Sequence, residues 1–480
     1  MAELRTGIPQ RIDRLPWSGW HWTIVAGLGI TWILDGLEVT IVGSIGPRLQ
    51  DAGTLGLSPT QVGLTATAYL MGAVAGSLGF GYLTDRYGRK KLFLITLGLY
   101  LVATLLTAAS WNFASFVAFR FLTGLGIGGE YSAINSTIDE LIPAARRGFV
   151  DLAINGSFWF GAILGSAASI VLLDPARIDQ HVGWRIAFGA GAILAFAILF
   201  VRTAIPESPR WLLTHGRAQE AEDVTDAIED RVRREFGEWA LPEAHGEIVI
   251  DTDRRHGLGD VWRTMIHTYP RRTVVALTLM ISQAFLYNAI FFTEALVLGT
   301  FFNVPPDRVG YYIFPFALGN LLGPLLLGHL FDAVGRKPMI AATYALSGAL
   351  LLGTGVLFVR GALDARSITL CWCVVFFFAS AGASSAYLTV SETFPLEIRA
   401  MAIALVYAAG TLVGGALAPA LFGALIATKS PERVFEGYLL GALMMVLAAI
   451  VELRYGIEAA RRRLEDVAAP LSATAGATVS

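Results

Sequence analysis

The chain has 480 residues, of which 55% are hydrophobic and only 15% charged, with a mean hydropathy of +0.59. Soluble domains carry roughly a quarter charged residues, so the composition excludes a soluble domain and marks an integral membrane protein. The net charge of −2 gives no basis for nucleic-acid binding. The two cysteines, Cys371 and Cys373 in ITLCWCVVFFF, have no His or acid close by, which leaves neither a disulfide framework nor a metal site.

Residues 1–21 (MAELRTGIPQRIDRLPW and onward) are polar and basic, without the short apolar core and cleavage site of a signal peptide, and read as a retained cytoplasmic tail. A spanning helix needs roughly 20 mostly apolar residues. That rule predicts spans near 22–45, 59–83, 92–110, 114–138, 149–173 and 184–205. A charged segment at 206–272, with RAQEAEDVTDAIEDRVRREF, cannot enter a membrane and reads as cytoplasmic amphipathic helices. Further spans follow near 273–302, 308–331, 338–360, 366–390, 399–427 and 433–456, then a short polar tail at 457–480. Positive charge gathers in alternate loops, at Arg86, Arg89, Lys90 and Lys91, at Arg146 and Arg147, and at Arg336 and Lys337, whereas WNFAS has none. By the positive-inside rule both termini and the 206–272 segment face the cytoplasm. Compact loops fit a bacterial inner membrane.

The two halves repeat. GAVAGSLGFGYLTDRYGRKK (72–91) aligns without a gap on GNLLGPLLLGHLFDAVGRKP (319–338), and ELIPAARR (140–147) aligns on ETFPLEIR (392–399). The expected fold is therefore all-α, with twelve transmembrane helices in two pseudo-symmetric six-helix bundles, 22–205 and 273–456, related in parallel. Pairs such as Gly72/Gly76 and Gly319/Gly323 allow close helix packing. Asp85 stands at a helix C-terminus, where the dipole disfavours an anion, so it needs Arg89 or another helix's N-terminus as a partner. Such a contact, made in one state and broken in another, would be a gate. The candidate gating set is Asp85, Arg89, Glu140 and Arg147 with their echoes Asp332, Arg336, Glu392 and Arg399.

GYLTDRYGRKK, its echo GHLFDAVGRKP and RFLTGLGIGG (120–129) resemble signatures of the major facilitator superfamily. PESPRWLL (206–213) and SETFPLEIRA (391–400) are similar to sugar-porter motifs. Two features depart from that family: span 7 has a single glutamine, Gln283, and span 10 has Ala386 and Tyr387 in place of Pro-Trp. DGLE in span 1 and GGEY in span 4 are similar instead to motifs of acid, metabolite and phosphate symporters. The resemblance implies transport of a sugar or a small organic acid.

Asp35 and Glu38 lie three residues apart inside an apolar run. A carboxylate at the bilayer centre costs at least about 2.5–3.5 kcal/mol, and such groups tend to mark ion or substrate pathways. The pair is expected to point into a common cavity, with fixing of helix packing as the alternative. The resemblance places Glu38 where sugar–proton symporters carry their coupling aspartate and sets Arg120 of span 4 beside span 1, as the counter-charge that switches. Glu130 could bind substrate, carry a proton or bond to Asn135. Gly124, Gly126 and Gly129 satisfy G-x-G-x-x-G, but without the strand and βαβ unit that a dinucleotide site needs. Gln283, Tyr287 and Asn288 recur at helical spacing as substrate hydrogen-bonding groups, and the resemblance puts Gln283 and Asn288 where sugar hydroxyls are held. Asn155, Tyr387 and Thr389 are further cavity candidates, and Glu294 a candidate outer gate.

The resulting expectation is a monomeric secondary transporter, driven by protons, that carries a small polar metabolite across the lipid bilayer without any cofactor or metal. Facilitated diffusion is one alternative. Proton-driven efflux is another, and would call for more aromatic cavity walls. A receptor on a transporter scaffold would carry a longer cytoplasmic extension, and an enzyme would need a nucleophile–base pair, a metal cluster or a nucleotide loop.

Overall fold

Apolar segments in lipid must satisfy every backbone N–H and C=O internally, which leaves helices as the solution for runs of this length. The computed structural model describes residues 3–172, 177–203, 205–237, 241–243, 247–251, 258–291, 293–304 and 308–471. After a short helix α1 (Ile8–Asp13), the first half contains α2 (Gly19–Gln50), α3 (Pro59–Tyr87), α4 (Arg89–Ala108) and α5 (Phe113–Leu141). It continues with α6 (Arg147–Gly156), α7 (Phe158–Leu172) and α8 (Gln180–Thr203). The segment between the halves holds α9 (Pro209–Thr214), α10 (Ala218–Phe236) and α11 (Leu258–Arg263). The second half follows with α12 (Pro270–Phe291), α13 (Glu294–Phe302), α14 (Gly310–Ala333), α15 (Arg336–Val359) and α16 (Ala365–Thr393). It is completed by α17 (Arg399–Gly410), α18 (Ala416–Ala427) and α19 (Pro431–Tyr455), and a short α20 (Leu464–Val467) ends the described chain.

These helices make twelve crossings in two six-helix bundles, with α6–α7, α12–α13 and α17–α18 each forming one crossing in two pieces. In the α17–α18 crossing, Pro419 has no N–H for the Gly415 carbonyl, and the π turn Thr411–Gly415 ends at that residue. Among the described residues, ten crossings are long and apolar enough to span a membrane. The other two are α5, which carries Arg120, Glu130, Asp139 and Glu140, and α8, which packs on α2 and α4. Outward-facing apolar side chains such as Ile170, Ile193, Leu370 and Leu417 are more than half exposed, as lipid contact requires.

The glycine pairs act in packing. A Cβ on Gly72 or Gly76 would lie 2.1 Å from a carbonyl oxygen of α5, and one on Gly124 or Gly128 2.0 Å from a carbonyl oxygen of α3. The two bundles meet through α3 on α17 and through α6 and α7 on α14.

The segment between the halves is helical but not wholly so. Strand β1 (Glu3–Thr6) pairs antiparallel with β2 (Ile248–Asp251), Thr6 opposite Ile248, and so fastens the N-terminal tail to this segment. Four-residue strands are too short for their alternation to stand out in sequence. The tail is further held by Ile8 and Ile12 packing with Trp211, Leu212, Leu213 and Ala221. Arg11 pairs with Glu222, Asp226 and Glu229, and Arg14 also pairs with Glu229.

Burial pushes the Glu229 carboxyl up, but the Arg11 and Arg14 guanidiniums outweigh it and hold the group below its ordinary value. A depressed acid stabilises above its unfolded pKa, about 4.3 for Glu, and that stabilisation is lost as pH falls through the lower folded value. Protection of the amides of 8–13 from hydrogen exchange should therefore be level near neutrality and fall below about pH 4. Glu229→Gln should lower it already at neutral pH.

Candidate functional site

A cavity of about 160 Å³ lies between the bundles, lined by Trp32 of α2, Asn155 of α6, Phe158 and Trp159 of α7, Gln283 and Tyr287 of α12, and Ser380, Ala383, Ser384 and Tyr387 of α16. It is smaller than the roughly 300–1,000 Å³ of drug-sized sites. Half of its lining is aromatic, and the polar groups among the lining residues are neutral. The Tyr287 hydroxyl donates to Asn320 Oδ1 at 2.8 Å, and the Gln283 amide donates to Met280 Sδ at 3.0 Å. Asn155 Nδ2 donates to Asn135 Oδ1 at 3.1 Å and to the Asp151 carbonyl at 2.9 Å. Trp32 Nε1 and Asn155 Oδ1 are buried without a hydrogen-bond partner among the described residues. A polar molecule in the cavity could satisfy them, which is the usual fate of buried polar atoms.

Asp35 and Glu38 do not open into this cavity. Trp32, one turn earlier on α2, takes the wall position, stacked on Tyr131 of α5 with ring centroids 4.6 Å apart. Behind that stack Asp35, 1% exposed, accepts from the Tyr69 hydroxyl at 2.7 Å and from the Tyr131 hydroxyl at 2.5 Å. Glu38 forms a buried ion pair with Arg120, whose guanidinium also lies 4.3 Å from the centroid of the Tyr69 ring. Glu38, Arg120, Tyr69, Asp35, Tyr131 and Trp32 thus form one continuous chain of contacts from the ion pair to the cavity wall. Tyr387 and Tyr407 of the second half pack edge-on against its end, at 5.8 Å from Trp32 and 5.0 Å from Tyr131 respectively.

Several candidates lie elsewhere. Glu130 is fully buried in α5 away from the cavity wall. Asn288 donates to the Ala284 carbonyl of its own helix at 2.6 Å, and Thr389 likewise to Ser385 at 2.8 Å. Glu294 is 1% exposed within the second bundle, which removes it from any outer surface. The residues that sequence reading missed include Tyr69, Trp32, Tyr131, Phe158, Trp159 and Tyr407. A tryptophan or tyrosine on an apolar helix carries no signal of its own, although the Trp32 spacing to Asp35 was available.

The eight gating candidates come together at the end carrying the basic loops, as two matching quartets. Arg89 pairs with Glu140 at 2.8 Å and Asp85 at 3.2 Å, and Arg399 of the other bundle reaches Glu140 at 3.7 Å. Arg336 pairs with Asp332 at 2.8 Å and Glu392 at 2.9 Å, and Arg147 reaches Glu392 at 3.7 Å. Each aspartate also caps a helix of the opposite bundle. Asp85 accepts from the N–H groups of Ala400 (3.3 Å) and Met401 (2.9 Å) at the start of α17, and Asp332 from those of Gly148 (3.1 Å) and Phe149 (2.7 Å) at the start of α6.

Helices α4 and α15 are capped from a distance as well. Glu207 accepts from the N–H of Arg89 at 2.9 Å, and Glu458 from that of Arg336 at 2.8 Å. The preceding Gly88 and Gly335 have φ of 98° and 128°, and a Cβ there would fall 2.2 and 2.5 Å from those carboxylates. Only glycine fits on both counts. Burial pushes the Glu207 carboxyl up, against the Ser208 N–H and the Arg89 charge.

The family described as "Sugar (and other) transporter" matches residues 22–469. The niacin transporter NiaP of Acinetobacter baylyi is 27% identical over 467 residues, covering 95% of this chain and 98% of that protein. The inner membrane metabolite transport protein YgcS of Escherichia coli is 26% identical, covering 92% of this chain and 91% of that protein. Among solved structures, the proton:xylose symporter XylE bound to 6-bromo-6-deoxy-D-glucose superimposes with a TM-score of 0.77 at 21% identity, over 93% of this chain and 98% of that one. An inward-open structure of XylE from E. coli gives 0.62 at 20% identity, with the same coverage.

Losing a helix cap costs about 0.5–2 kcal/mol, or about 2- to 30-fold in an equilibrium. Asp85→Ala and Asp332→Ala should each loosen the closed quartet end by such a factor. With Cys371 and Cys373 replaced by serine, a thiol introduced by Ser384→Cys should then react correspondingly faster with an impermeant reagent applied from the basic-loop side.

Proposed function

Because the chain belongs to the sugar (and other) transporter family, we propose that it is a proton-coupled symporter of a small, ring-bearing polar metabolite. It is a multi-pass membrane transporter and not an enzyme. The basic loops are assigned to the cytoplasm, with both termini on that side of an inner membrane. The closed quartets would then be the inner gate, and the rocking of two bundles about a midplane cavity gives alternating access.

The observation that carries proton coupling is the contact chain from the Glu38–Arg120 pair to Trp32 at the cavity wall. An ionised Glu38 holds Arg120. A proton on Glu38 removes that hold and frees the guanidinium to move against Tyr69, whose hydroxyl is bound to Asp35. Tyr131 shares Asp35 and stacks on Trp32, so a substrate pressing on Trp32 and a proton on Glu38 act on the same set of side chains.

Neutral polar groups between aromatic faces fit a planar or ring-shaped molecule that hydrogen-bonds at its edge. With no cation among the described lining residues, a doubly charged substrate such as phosphate fits poorly. The niacin transporter among the relatives and the xylose symporter among the structural neighbours both carry ring compounds of this size by name.

The aromatic walls also favour a second reading, proton-driven efflux. Both are tested in liposomes holding a pH dye, with nicotinate, other aromatic acids, sugars, polyols, short carboxylates and phosphate added in turn. Symport acidifies the lumen when the right class is added, exchange of substrate for protons makes it alkaline, and uptake without a pH change removes proton coupling altogether. Glu38→Gln should abolish proton-driven accumulation while leaving substrate exchange largely intact.

A further inference from the structure

Two more acids lie between the cavity and the inner gate. On α6, Arg147, Asp151 and Asn155 follow at four-residue spacing and so share one helix face. On α5, Tyr131, Asn135 and Asp139 do the same in the opposite direction. The two stripes meet through the Asn155–Asn135 bond at the cavity end and through Arg147 and Asp139, 3.9 Å apart, at the gate end. Asp139 and Asp151 are both 0% exposed, and none of their four carboxylate oxygens has a hydrogen-bond partner among the described residues.

Among the described residues Asp151 has no ion-pair partner, and Asp139 has only Arg147 Nε at 3.9 Å. Asp151 is neighboured by Asp139 from α5, Glu392 from α16 and Arg336 from the head of α15. Arg336 is already bound by Asp332 of α14 and by Glu392. The nearby Asn155 amide spends its donors on Asn135 and the Asp151 carbonyl. Tyr387 of α16 lies on the cavity side of Asp151, and α2 brings Asp35, held by Tyr69 and Tyr131. Asp139 is neighboured by Arg147, Arg399, Glu392 and Ser391. Arg147 is shared with Glu392 and Asp13, Arg399 pairs with Glu140, and Ser391 donates to the Leu388 carbonyl. Arg89 is bound closely by Asp85 and Glu140, and Arg336 by Asp332 and Glu392, whereas Arg147 lies 3.7 Å from Glu392 and 3.9 Å from Asp139, so Asp139 shares a counter-charge at long range and Asp151 has none.

The scaffold does not require either acid. In the second half Ser391 precedes Glu392 where Asp139 precedes Glu140, and Ile403 follows Arg399 at the spacing by which Asp151 follows Arg147. Ile403 is fully buried, so an apolar side chain serves at that place in the packing. A buried carboxylate without a partner takes up a proton rather than remain charged.

We propose that Asp139 and Asp151 form a second proton-binding site, which holds protons while the inner gate is closed and gives them to cytoplasmic water when it opens. Opening moves α14 and α16 away from α6, admits water to the pair, and lets each O–H bond ionise to a carboxylate and a hydrated proton. The site deepens the symport reading and rests on its assignment of the basic loops to the cytoplasm. It also sets the direction of pH dependence, because high pH removes the protons on which closure depends.

The test is the gate itself, with no substrate added. Spin labels at Tyr87→Cys and Val334→Cys, matching positions that are 50% and 58% exposed, report the separation of the two bundles at the inner end. The background carries Cys371→Ser and Cys373→Ser, and the full chain is held in lipid nanodiscs. The short distance should give way to a longer one as pH rises from about 5 to about 9, the range over which a buried carboxyl can titrate. In Asp139→Asn/Asp151→Asn the short distance should persist throughout, whereas Glu294→Gln, at a buried acid of the second bundle with no assigned proton role, should follow the wild-type profile. Asp139→Ser/Asp151→Ile, which copies the second half, carries the same expectation should the asparagine pair fold poorly. A wild-type distance that ignores pH, a double variant that opens like wild type, or a Glu294→Gln variant that loses the response would each overturn the proposal. Symport is judged separately by the liposome dye. Acidification with a pH-insensitive gate removes this site alone, and a pH-sensitive gate without acidification removes symport alone.

Discussion

The first N–H groups of a helix have no partner within it. At the end opposite the basic loops the chain meets this locally, where Ser58, Asn112, Asp364 and Ser430 cap their own helices. At the basic-loop end α4, α6, α15 and α17 have no side-chain cap from their N-cap residues. Their donors are instead met by Glu207, Asp332, Glu458 and Asp85. Glu207 and Glu458 come from beyond the last crossing of the same half, and lock each bundle internally. Asp85 and Asp332 come from the opposite bundle. The same elementary need therefore builds the bundles and holds them together at one end, and the quartets, the close approach of α3 to α17 and the enclosure of the cavity all follow from it.

The two halves share this scaffold but not the chemistry placed on it. Every acid assigned a proton role, Asp35, Glu38, Asp139 and Asp151, belongs to the first bundle, as does Arg120. The second bundle supplies Gln283, Tyr287, Ser380, Ser384 and Tyr387, which are neutral. Pseudo-symmetry preserves the quartets and their cross-bundle caps, while its breaches at Asp139 against Ser391 and at Asp151 against Ile403 locate the added charge. Substrate recognition by neutral groups and proton binding by buried acids can then vary independently, joined only where Trp32 meets Tyr387 and Tyr131 meets Tyr407.

Much of this was legible from residues alone. Composition and span length gave the helices, and the repeated Asp–Gly–Arg–Lys loops gave the two bundles and the residues that gather in the quartets. The dipole argument for Asp85 pointed to Arg89 or another helix's N-terminus because an anion at a helix C-terminus needs a positive partner, and the structure supplies both. Which helix would supply it was not legible, since α17 begins more than 300 positions away. Asp35 was misplaced for a different reason: a short spacing fixes which face of a helix a side chain takes, but not that a larger neighbour on that face, Trp32, will close it from the cavity. Tyr131 was passed over beside the charged Glu130, although the tyrosine makes the contact that matters.

A gate made of these parts is suited to being tipped. Each cap exchanged between bundles is worth about 0.5–2 kcal/mol. The cross-bundle ion pairs at 3.7 Å are long, and buried pairs recover little beyond their desolvation. Closure therefore rests on a few kcal/mol, set against the wetting of a half-aromatic cavity. One pH unit on a titrating carboxyl is worth about 1.4 kcal/mol, and a ligand can shift such an equilibrium by its differential affinity for the two states. A more strongly bonded basic-loop end, such as an apolar seam with local caps, would hold the bundles shut against both. Placing helix caps across the interface keeps closure specific in geometry yet weak enough for the proposed proton and a small substrate together to decide it.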